Sequence, residues 1–238
     1  MKHHGFAAGL FGLLSLFLFS TSTRAQPVPV IGQQPSSQSL VVGSNATFSV
    51  TATGQSPDYY WFFNGTNLVN GGRISGANSA TLNITNITGA DAGGYYVLVS
   101  NRHGTATSST ATLTVLFPPE ISVQPVAQAV VIGNGASFSV VATGTAPLSY
   151  RWQRNGADLL DGGRIEGATA ANLVITDVET TDAGNYSVIV SNAVGVMTSD
   201  AVALTVLVPP SIVQEPVSGS FVLGSSGSFS IEATGDAP

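Results

Sequence analysis

The chain has 238 residues, of which 43% are hydrophobic and only 8% are charged, so it is not a disordered chain, and its length allows one to three domains. Without the first 25 residues it carries five arginines and no lysine against thirteen carboxylates, a net charge of −8 that argues against binding to nucleic acids or anionic membranes. It has no cysteine, so each domain must be held together by its apolar core alone.

The first element in the chain is a predicted secretory signal peptide at residues 1–25. A positive charge at Lys2 precedes an apolar run at 5–19, and Thr23 and Ala25 place small residues at the −3 and −1 positions of a cleavage site. The run is too short to span a bilayer, and an uncleaved anchor is the alternative interpretation. We expect cleavage after Ala25, and therefore a protein that is secreted or held at the cell surface, with no membrane span in its mature part.

Beyond the signal peptide the chain repeats itself at an offset of 91 residues. Trp61 recurs as Trp152, and the triplet at 72–74 recurs at 163–165. Further pairs at the same offset are Asn64 with Asn155, Asp91 with Asp182, Tyr95 with Tyr186, and Pro118 with Pro209. We therefore expect three units, of which the third stops before its own tryptophan: 26–117, 118–208, and the N-terminal part of a third at 209–238.

Each unit is predicted to be all-β. Hydrophobic residues alternate with small polar ones, as at Phe48, Val50 and Ala52 in the first unit. The Asn-Gly pairs at 64–65 and 155–156 indicate two-residue hairpin turns, because both residue types tolerate positive φ. No window shows a sustained helical period, so each unit should hold about seven to nine short strands, the pattern of a β-sandwich.

These motifs carry a family resemblance. Each complete unit has a tryptophan on its third strand, then Asn-Gly, then Asp-Ala-Gly-x-Tyr-x-Val-x-Val-Ser-Asn-x-x-Gly. In this order the motifs resemble the immunoglobulin superfamily, with the I-set as the nearest subtype. The resemblance covers 27–117 and 118–208 fully and 209–238 in part. It implies tandem immunoglobulin-like β-sandwiches with Trp61 and Trp152 in their cores.

The resemblance also implies which positions the usual disulfide would occupy. It places the two cysteines at Val50 and Val97 in the first unit, and at Val140 and Val188 in the second. A bridge between residues 47 positions apart would contribute about 4 kcal/mol by restricting the unfolded chain. A buried valine pair offsets part of this through its apolar burial. Cysteine-free tandem domains of this kind resemble those of bacterial secreted or surface proteins, which favours a bacterial source.

The charged residues of the motif are predicted to be structural. The resemblance implies that Arg73 forms a salt bridge with Asp91, and Arg164 with Asp182, closing one end of each sandwich. A binding role for these pairs is the alternative. The same resemblance implies a tyrosine corner in each unit, at Tyr95 and Tyr186.

No catalytic, cofactor or metal site is predicted. The one histidine outside the signal peptide, His103, lies in a hairpin turn that supplies no scaffold for a catalytic partner. Asp158, Asp161 and Glu166 lack the alternate-residue spacing of a calcium loop, and zinc would need more histidine or cysteine. We therefore expect a protein that is not an enzyme and uses no cofactor.

One surface differs between the two complete units. Outward positions on two strands, which the resemblance makes neighbours, hold four apolar side chains: Tyr60, Phe62, Tyr96 and Leu98. We predict that they form an exposed patch that serves as a binding site. Cover from a neighbouring loop, or simple tolerance, is the alternative. The second unit has more polar residues at these positions: Arg151, Gln153, Ser187 and Ile189.

The function predicted from the sequence is binding and spacing outside the cell. Proline pairs at 118–119 and 209–210 fix the linkers, which predicts a semi-rigid rod. The expected partner is a protein or glycan ligand at the cell surface, a second copy of the chain included. The alternative is an accessory region of a larger secreted enzyme, such as a polysaccharide hydrolase with its catalytic domain downstream. The downstream reading frame distinguishes the two.

Overall fold

The structure, a computed structural model, describes Met1 and residues 27–235. The predicted signal peptide beyond Met1, with its cleavage site, lies outside the described residues. The first domain consists of short strands and one 3₁₀ turn at Gly89–Asp91. Its strands are β1 (Val30–Gln33), β2 (Gln38–Val41), β3 (Ala46–Ser49), β4 (Thr51–Thr53), β5 (Asp58–Phe63), β6 (Thr66–Asn67), β7 (Ile74–Ser75), β8 (Thr81–Ile84), β9 (Gly93–Asn101), β10 (Gly104–Thr107) and β11 (Ala111–Leu116).

Two sheets form the first domain. One has the strand order β2-β11-β9-β5-β6, with β10 also paired to β9. The other has the order β3-β8-β7, and β1 pairs with β4, which continues from β3 after Val50. The pairing of β2 with β11 is parallel, from Gln38 opposite Leu113 to Val41 opposite Leu116, and the other pairings of this domain are antiparallel.

The second domain repeats this topology. Its sheets have the orders β13-β22-β20-β16-β17, with β21 on β20, and β14-β19-β18, and β12 pairs with β15. A 3₁₀ turn again precedes the long strand, at Thr180–Asp182. The strands are β12 (Glu120–Val123), β13 (Gln128–Val131), β14 (Ala136–Ser139), β15 (Val141–Thr143), β16 (Ser149–Arg154), β17 (Ala157–Asp158), β18 (Ile165–Glu166), β19 (Asn172–Ile175), β20 (Gly184–Ser191), β21 (Val196–Thr198) and β22 (Val202–Leu207). The prediction of tandem all-β sandwiches is confirmed.

The residues after 208 form one antiparallel pair of strands, β23 (Ser211–Gln214) and β24 (Glu232–Thr234). The alternation of the sequence predicts that Phe229 and Ile231 face inward, but they are 66% and 59% exposed. They are exposed because the described part of this unit supplies no second sheet to cover them.

An aromatic cluster fills the core of each sandwich. In the first domain Trp61 is fully buried, and its ring N–H donates a hydrogen bond to the carbonyl oxygen of Ser79 at 2.9 Å. Phe48 from one sheet stacks on Tyr95 from the other, with the ring centroids 4.7 Å apart. The second domain has the same contacts, with buried Trp152 and with Phe138 stacked on Tyr186 at 4.8 Å. The four positions that the resemblance assigns to cysteines are buried: Val50, Val97, Val140 and Val188.

Arg73 and Asp91 close one end of the first domain. The two terminal nitrogens of Arg73 donate to the two carboxylate oxygens of Asp91 at 2.8 and 3.0 Å, and Thr88 donates two further hydrogen bonds. Burial alone would raise the pKa of Asp91, but the hydrogen bonds from Arg73 and Thr88 outweigh it and hold that pKa below its ordinary value. The hydroxyl of Tyr95 donates to the carbonyl oxygen of Asp91 at 2.7 Å, and burial raises the pKa of Tyr95 to about 12.

The second domain has a larger charged cluster at the same end. Arg164 donates to the carboxylate of Asp182 at 2.6 Å, and Arg154 adds a second guanidinium at 3.3 Å. Glu179 lies 3.3 Å from Arg164 and completes the cluster. Arg154 occupies the position that Phe63 holds in the first domain, so the repeated motif does not predict it. Burial opposes ionisation of Asp182, but the two arginines and the Glu179 N–H keep its pKa below the ordinary value.

We predict that Val50→Cys combined with Val97→Cys forms a disulfide, because both side chains lie in the core between the two sheets. Closing the loop should contribute about 4 kcal/mol, and losing two buried valines offsets part of it, so the net gain is a few kcal/mol at most. Thiol titration and urea unfolding measure the effect, with the reduced double variant as the matched control. Two free thiols under oxidising conditions would show that these β-carbons do not face each other.

We predict that Asp182 makes the second domain sensitive to acid. A carboxyl with a depressed folded-state pKa stabilises the fold above its unfolded pKa of about 3.9, and this stabilisation is lost as the pH falls through the folded-state value. Asp182→Asn should lower the free energy of unfolding at pH 7 by about 2 kcal/mol, and should flatten its dependence on pH below 4.

Urea unfolding at pH 7 and pH 3, followed by tryptophan fluorescence, measures this effect. Asp158→Asn is the matched control, because Asp158 forms an exposed ion pair with Arg151 that contributes at most about 1 kcal/mol. An unchanged acid dependence in the Asp182 variant would contradict the assignment.

We predict that the third unit exchanges its amide hydrogens quickly. Two strands alone are marginally stable in water, and every described residue from 209 onward is exposed. Mass-spectrometric hydrogen exchange should show fast exchange across 228–234 and slow exchange across the equivalent segment 137–143, which lies in the covered sheet of the second domain. Equal protection of the two segments would mean that the third unit packs against another surface.

Candidate functional site: an aromatic face on the first domain

The four side chains predicted to form a patch lie on two paired strands. Tyr60 is directly opposite Leu98, and Phe62 is directly opposite Tyr96, in the register of β5 with β9. The rings of Phe62 and Tyr96 stack almost in parallel, with centroids 4.9 Å apart and an angle of 3° between the planes. We call these four residues the aromatic face.

The aromatic face is less exposed than the alternation of the sequence predicts. Tyr60 is 37% exposed, whereas Phe62, Tyr96 and Leu98 are half-buried. The cause is packing across the strands, since side chains directly opposite one another in a sheet cover part of each other's surface. Phe62 and Tyr96 therefore each cover one broad face of the other ring.

The same positions of the second domain form a polar surface. Arg151 donates to one carboxylate oxygen of Asp158 at 3.0 Å, and Gln153 donates to the other at 2.7 Å. In the first domain the residue equivalent to Asp158 is Asn67, which lies opposite Phe62. Asp158 is one of the three carboxylates considered above as calcium ligands, and it forms an ion pair with Arg151.

Two of the remaining candidate side chains, Asp161 and His103, have hydrogen-bond partners, and Glu166 is exposed. Asp161 accepts a hydrogen bond from the backbone N–H of Ala168 at 2.7 Å. His103 is exposed and accepts one from the side chain of Arg102 at 2.8 Å. Arg102 also lines a polar cavity of about 240 Å³, together with Gln55, Ser56, Asp58 and Asn101. Within residues 27–235, no three histidines, aspartates or glutamates come together as a metal site.

The contacts at the junction between the two domains are not predicted from the sequence. Phe117 donates its backbone N–H to the hydroxyl of Thr145 at 2.7 Å, and its carbonyl accepts from the side chain of Asn192 at 2.8 Å. The ring of Phe117 packs on Gly89 of the first domain, so closely that a β-carbon there would lie 3.1 Å from it. The linker residue thus contacts both domains.

The same kind of bond precedes the first domain, where the side chain of Asn101 donates to the carbonyl oxygen of Pro27 at 3.3 Å.

Beside the junction is an apolar cavity of about 560 Å³. It is lined by Val42, Phe117, Pro118, Pro119, Glu120, Thr143 and Gly144. Glu120 is the one ionisable residue of this lining.

Among the residues that the structure describes, no helix has both the length and the apolar character needed to cross a membrane.

Comparison with known proteins gives several relatives by sequence. Roundabout homolog 1 of Rattus norvegicus is 29% identical over 221 residues, which is 87% of this chain and 13% of the relative. Muscle M-line assembly protein unc-89 of Caenorhabditis elegans is 30% identical over 220 residues, 89% of this chain and 3% of the relative. Contactin-4 of Homo sapiens is 29% identical over 192 residues, 77% and 19% respectively. The chain therefore spans less than a fifth of the length of each of these relatives.

Solved structures with the same fold include an I-band fragment of titin, with a TM-score of 0.69 at 23% identity. The match covers 90% of this chain and 78% of the titin chain. The immunoglobulin domains 1–5 of Sidekick-1 give a TM-score of 0.60 at 23% identity, covering 91% and 47%. The profile of the family described as "Immunoglobulin domain" matches twice, at residues 28–101 and 118–192. These two matches take in most of the chain and each lies within one of the two sandwiches, so the chain belongs to the immunoglobulin domain family.

Proposed function

We propose that this chain is a non-enzymatic adhesion protein, in which the aromatic face of the first domain binds a protein partner and the second domain acts as a spacer. The observation that carries the proposal is the difference between the two domains at equivalent positions. The scaffold accepts Arg151 and Gln153 in the second domain, so it does not require Tyr60 and Phe62 in the first. Aromatic residues that the fold does not require are typical of binding sites.

A protein partner suits the aromatic face better than a glycan. A sugar would stack on the broad face of an aromatic ring, and the stacked pair of Phe62 and Tyr96 already uses one broad face of each ring. Protein interfaces, by contrast, are enriched in tyrosine and phenylalanine. The hydroxyl groups of Tyr60 and Tyr96 can supply hydrogen bonds at the rim of such an interface.

The spacer role is supported by the junction. Proline at 118 and 119 restricts the linker. Phe117 donates a hydrogen bond to Thr145 and accepts one from Asn192, and both bonds hold it on the second domain while its ring packs on the first. A linker that contacts both domains in this way fixes the distance between the adhesive first domain and the second domain.

We propose that the protein acts outside the cell, delivered by the signal peptide at residues 1–25 that the N-terminal sequence indicates. The relatives named above are animal proteins, so they give no support to the bacterial source that the missing cysteines favour.

We predict that replacing the aromatic face with the residues of the second domain abolishes adhesion. Beads coated with the full chain should attach to a monolayer of animal cells, and Tyr60→Arg with Phe62→Gln should reduce attachment at least tenfold. The fold should survive, because the second domain carries these residues at the same positions, although losing the ring pair costs about 1 kcal/mol.

The matched control is Arg151→Ser with Gln153→Ser at the equivalent positions of the second domain, which should attach like the wild type. Protease treatment of the cells should remove attachment, whereas glycosidase treatment should leave it. Equal attachment of the Tyr60→Arg, Phe62→Gln variant and the wild type would refute the assignment of the site, and sensitivity to glycosidase alone would identify a glycan ligand instead.

A further inference from the structure

Charge is distributed unevenly between the two complete domains. Residues 27–117 carry two arginines and two aspartates, so the first domain is formally neutral. Residues 118–208 carry three arginines and eight carboxylates, a net charge of −5. A second copy of the chain can therefore approach the first domain without electrostatic repulsion, whereas two copies of the second domain repel each other.

The aromatic face is suited to meet an identical face. Along the outward positions of β5 and β9 the single charged residue is Asp58, at the end of the face farthest from the second domain. A surface without charges has nothing with which to select a charged partner, and its best complement is another uncharged apolar surface. The stacked rings of Phe62 and Tyr96 are already ordered by each other, so docking them costs little side-chain entropy.

The position of the second domain decides how two such faces would be oriented. The chain leaves the first domain at Phe117, beside Gly89, whereas Asp58 and Asn101 lie at the opposite end next to Pro27. If two copies paired with their strands parallel, their acidic second domains would lie side by side. If the strands are antiparallel, the second domains project from opposite ends of the dimer.

The distances involved favour the antiparallel arrangement. The nine residues of β9 span about 30 Å, and the screening length at physiological salt is about 8 Å. In the antiparallel arrangement the paired first domains separate the two second domains, so the repulsion between them is almost fully screened. In the parallel arrangement the second domains lie side by side, and the repulsion acts at close range.

We infer that the partner of the aromatic face is a second copy of this chain, docked face to face and antiparallel, with the two acidic second domains at opposite ends. The inference rests on the proposed binding role of this face and names its partner. Such a dimer is symmetric, since each copy contributes the same patch. Four residues per copy make a small interface, so a single pair associates weakly, and an array of copies on each of two surfaces would supply avidity.

Sedimentation equilibrium of the full chain tests whether the dimer forms. The wild type should pass from monomer to dimer over micromolar to millimolar concentrations, and Tyr60→Arg with Phe62→Gln should raise the dissociation constant at least tenfold. Arg151→Ser with Gln153→Ser should leave it unchanged. Thermal unfolding checks the fold of each variant, and Tyr96→Ser, the residue found at this position in the second domain, replaces the double change if that variant is unstable.

Energy transfer between labelled chains tests the orientation, because a chain without cysteine takes one label at any introduced thiol. Val69→Cys and Leu160→Cys are equivalent, exposed positions in the first and second domain. Mixed donor and acceptor chains should show transfer between labels at Val69→Cys and little between labels at Leu160→Cys.

Three results would overturn the inference. They are a wild type that stays monomeric, a dimer that persists in the variants of the aromatic face, and transfer at Leu160→Cys as strong as at Val69→Cys. A monomeric chain whose coated beads still attach to cells through the aromatic face would overturn this inference alone and leave the proposed function standing.

Discussion

Both sandwiches depend on a pair of stacked rings that takes the place of a covalent link between the sheets. Phe48 and Tyr95 come from opposite sheets, as do Phe138 and Tyr186, and each pair packs beside a completely buried tryptophan. Burial of these large side chains is the main favourable contribution available to a domain of about ninety residues without disulfides. The same tyrosine donates its hydroxyl to the 3₁₀ turn, so the core and the charged end of the domain are fixed together.

The sequence predicts most of this core, because its signals are local and repeated. Trp61 and Trp152, the alternation along the strands and the Asn-Gly turns each occur twice in the same order, and each has a single simple interpretation. The sequence does not predict Arg154 or Glu179, since a repeat identifies what two domains share and these residues occur in one domain alone. Nor does it predict the hydrogen bond from Asn192 to Phe117, which joins residues 75 positions apart. This bond depends on the packing of the turn after β20 against the linker between the domains.

The two domains show how one framework carries different surfaces. Inward positions are nearly identical between them, because the core leaves little freedom in volume or polarity. Outward positions on the same strands are free to change, and they range from the ring pair of Phe62 and Tyr96 to the hydrogen-bonded set of Arg151, Gln153 and Asp158. Alternation along the strands gives the direction of each side chain but not the cover that its neighbours provide, so it predicts a larger exposed fraction for the aromatic face than the structure has.

The parallel pairing of β2 with β11 has a mechanical consequence. These strands lie near the two ends of the first domain's chain, so tension applied through the linkers pulls them in opposite directions along their own axes. The hydrogen bonds between Gln38–Val41 and Leu113–Leu116 are then loaded in shear, all at the same time, instead of opening one after another. The equivalent pair in the second domain, β13 with β22, has the same geometry. Each of the two complete domains is therefore expected to resist stretching, which suits the proposed role of holding two surfaces together against a pulling force.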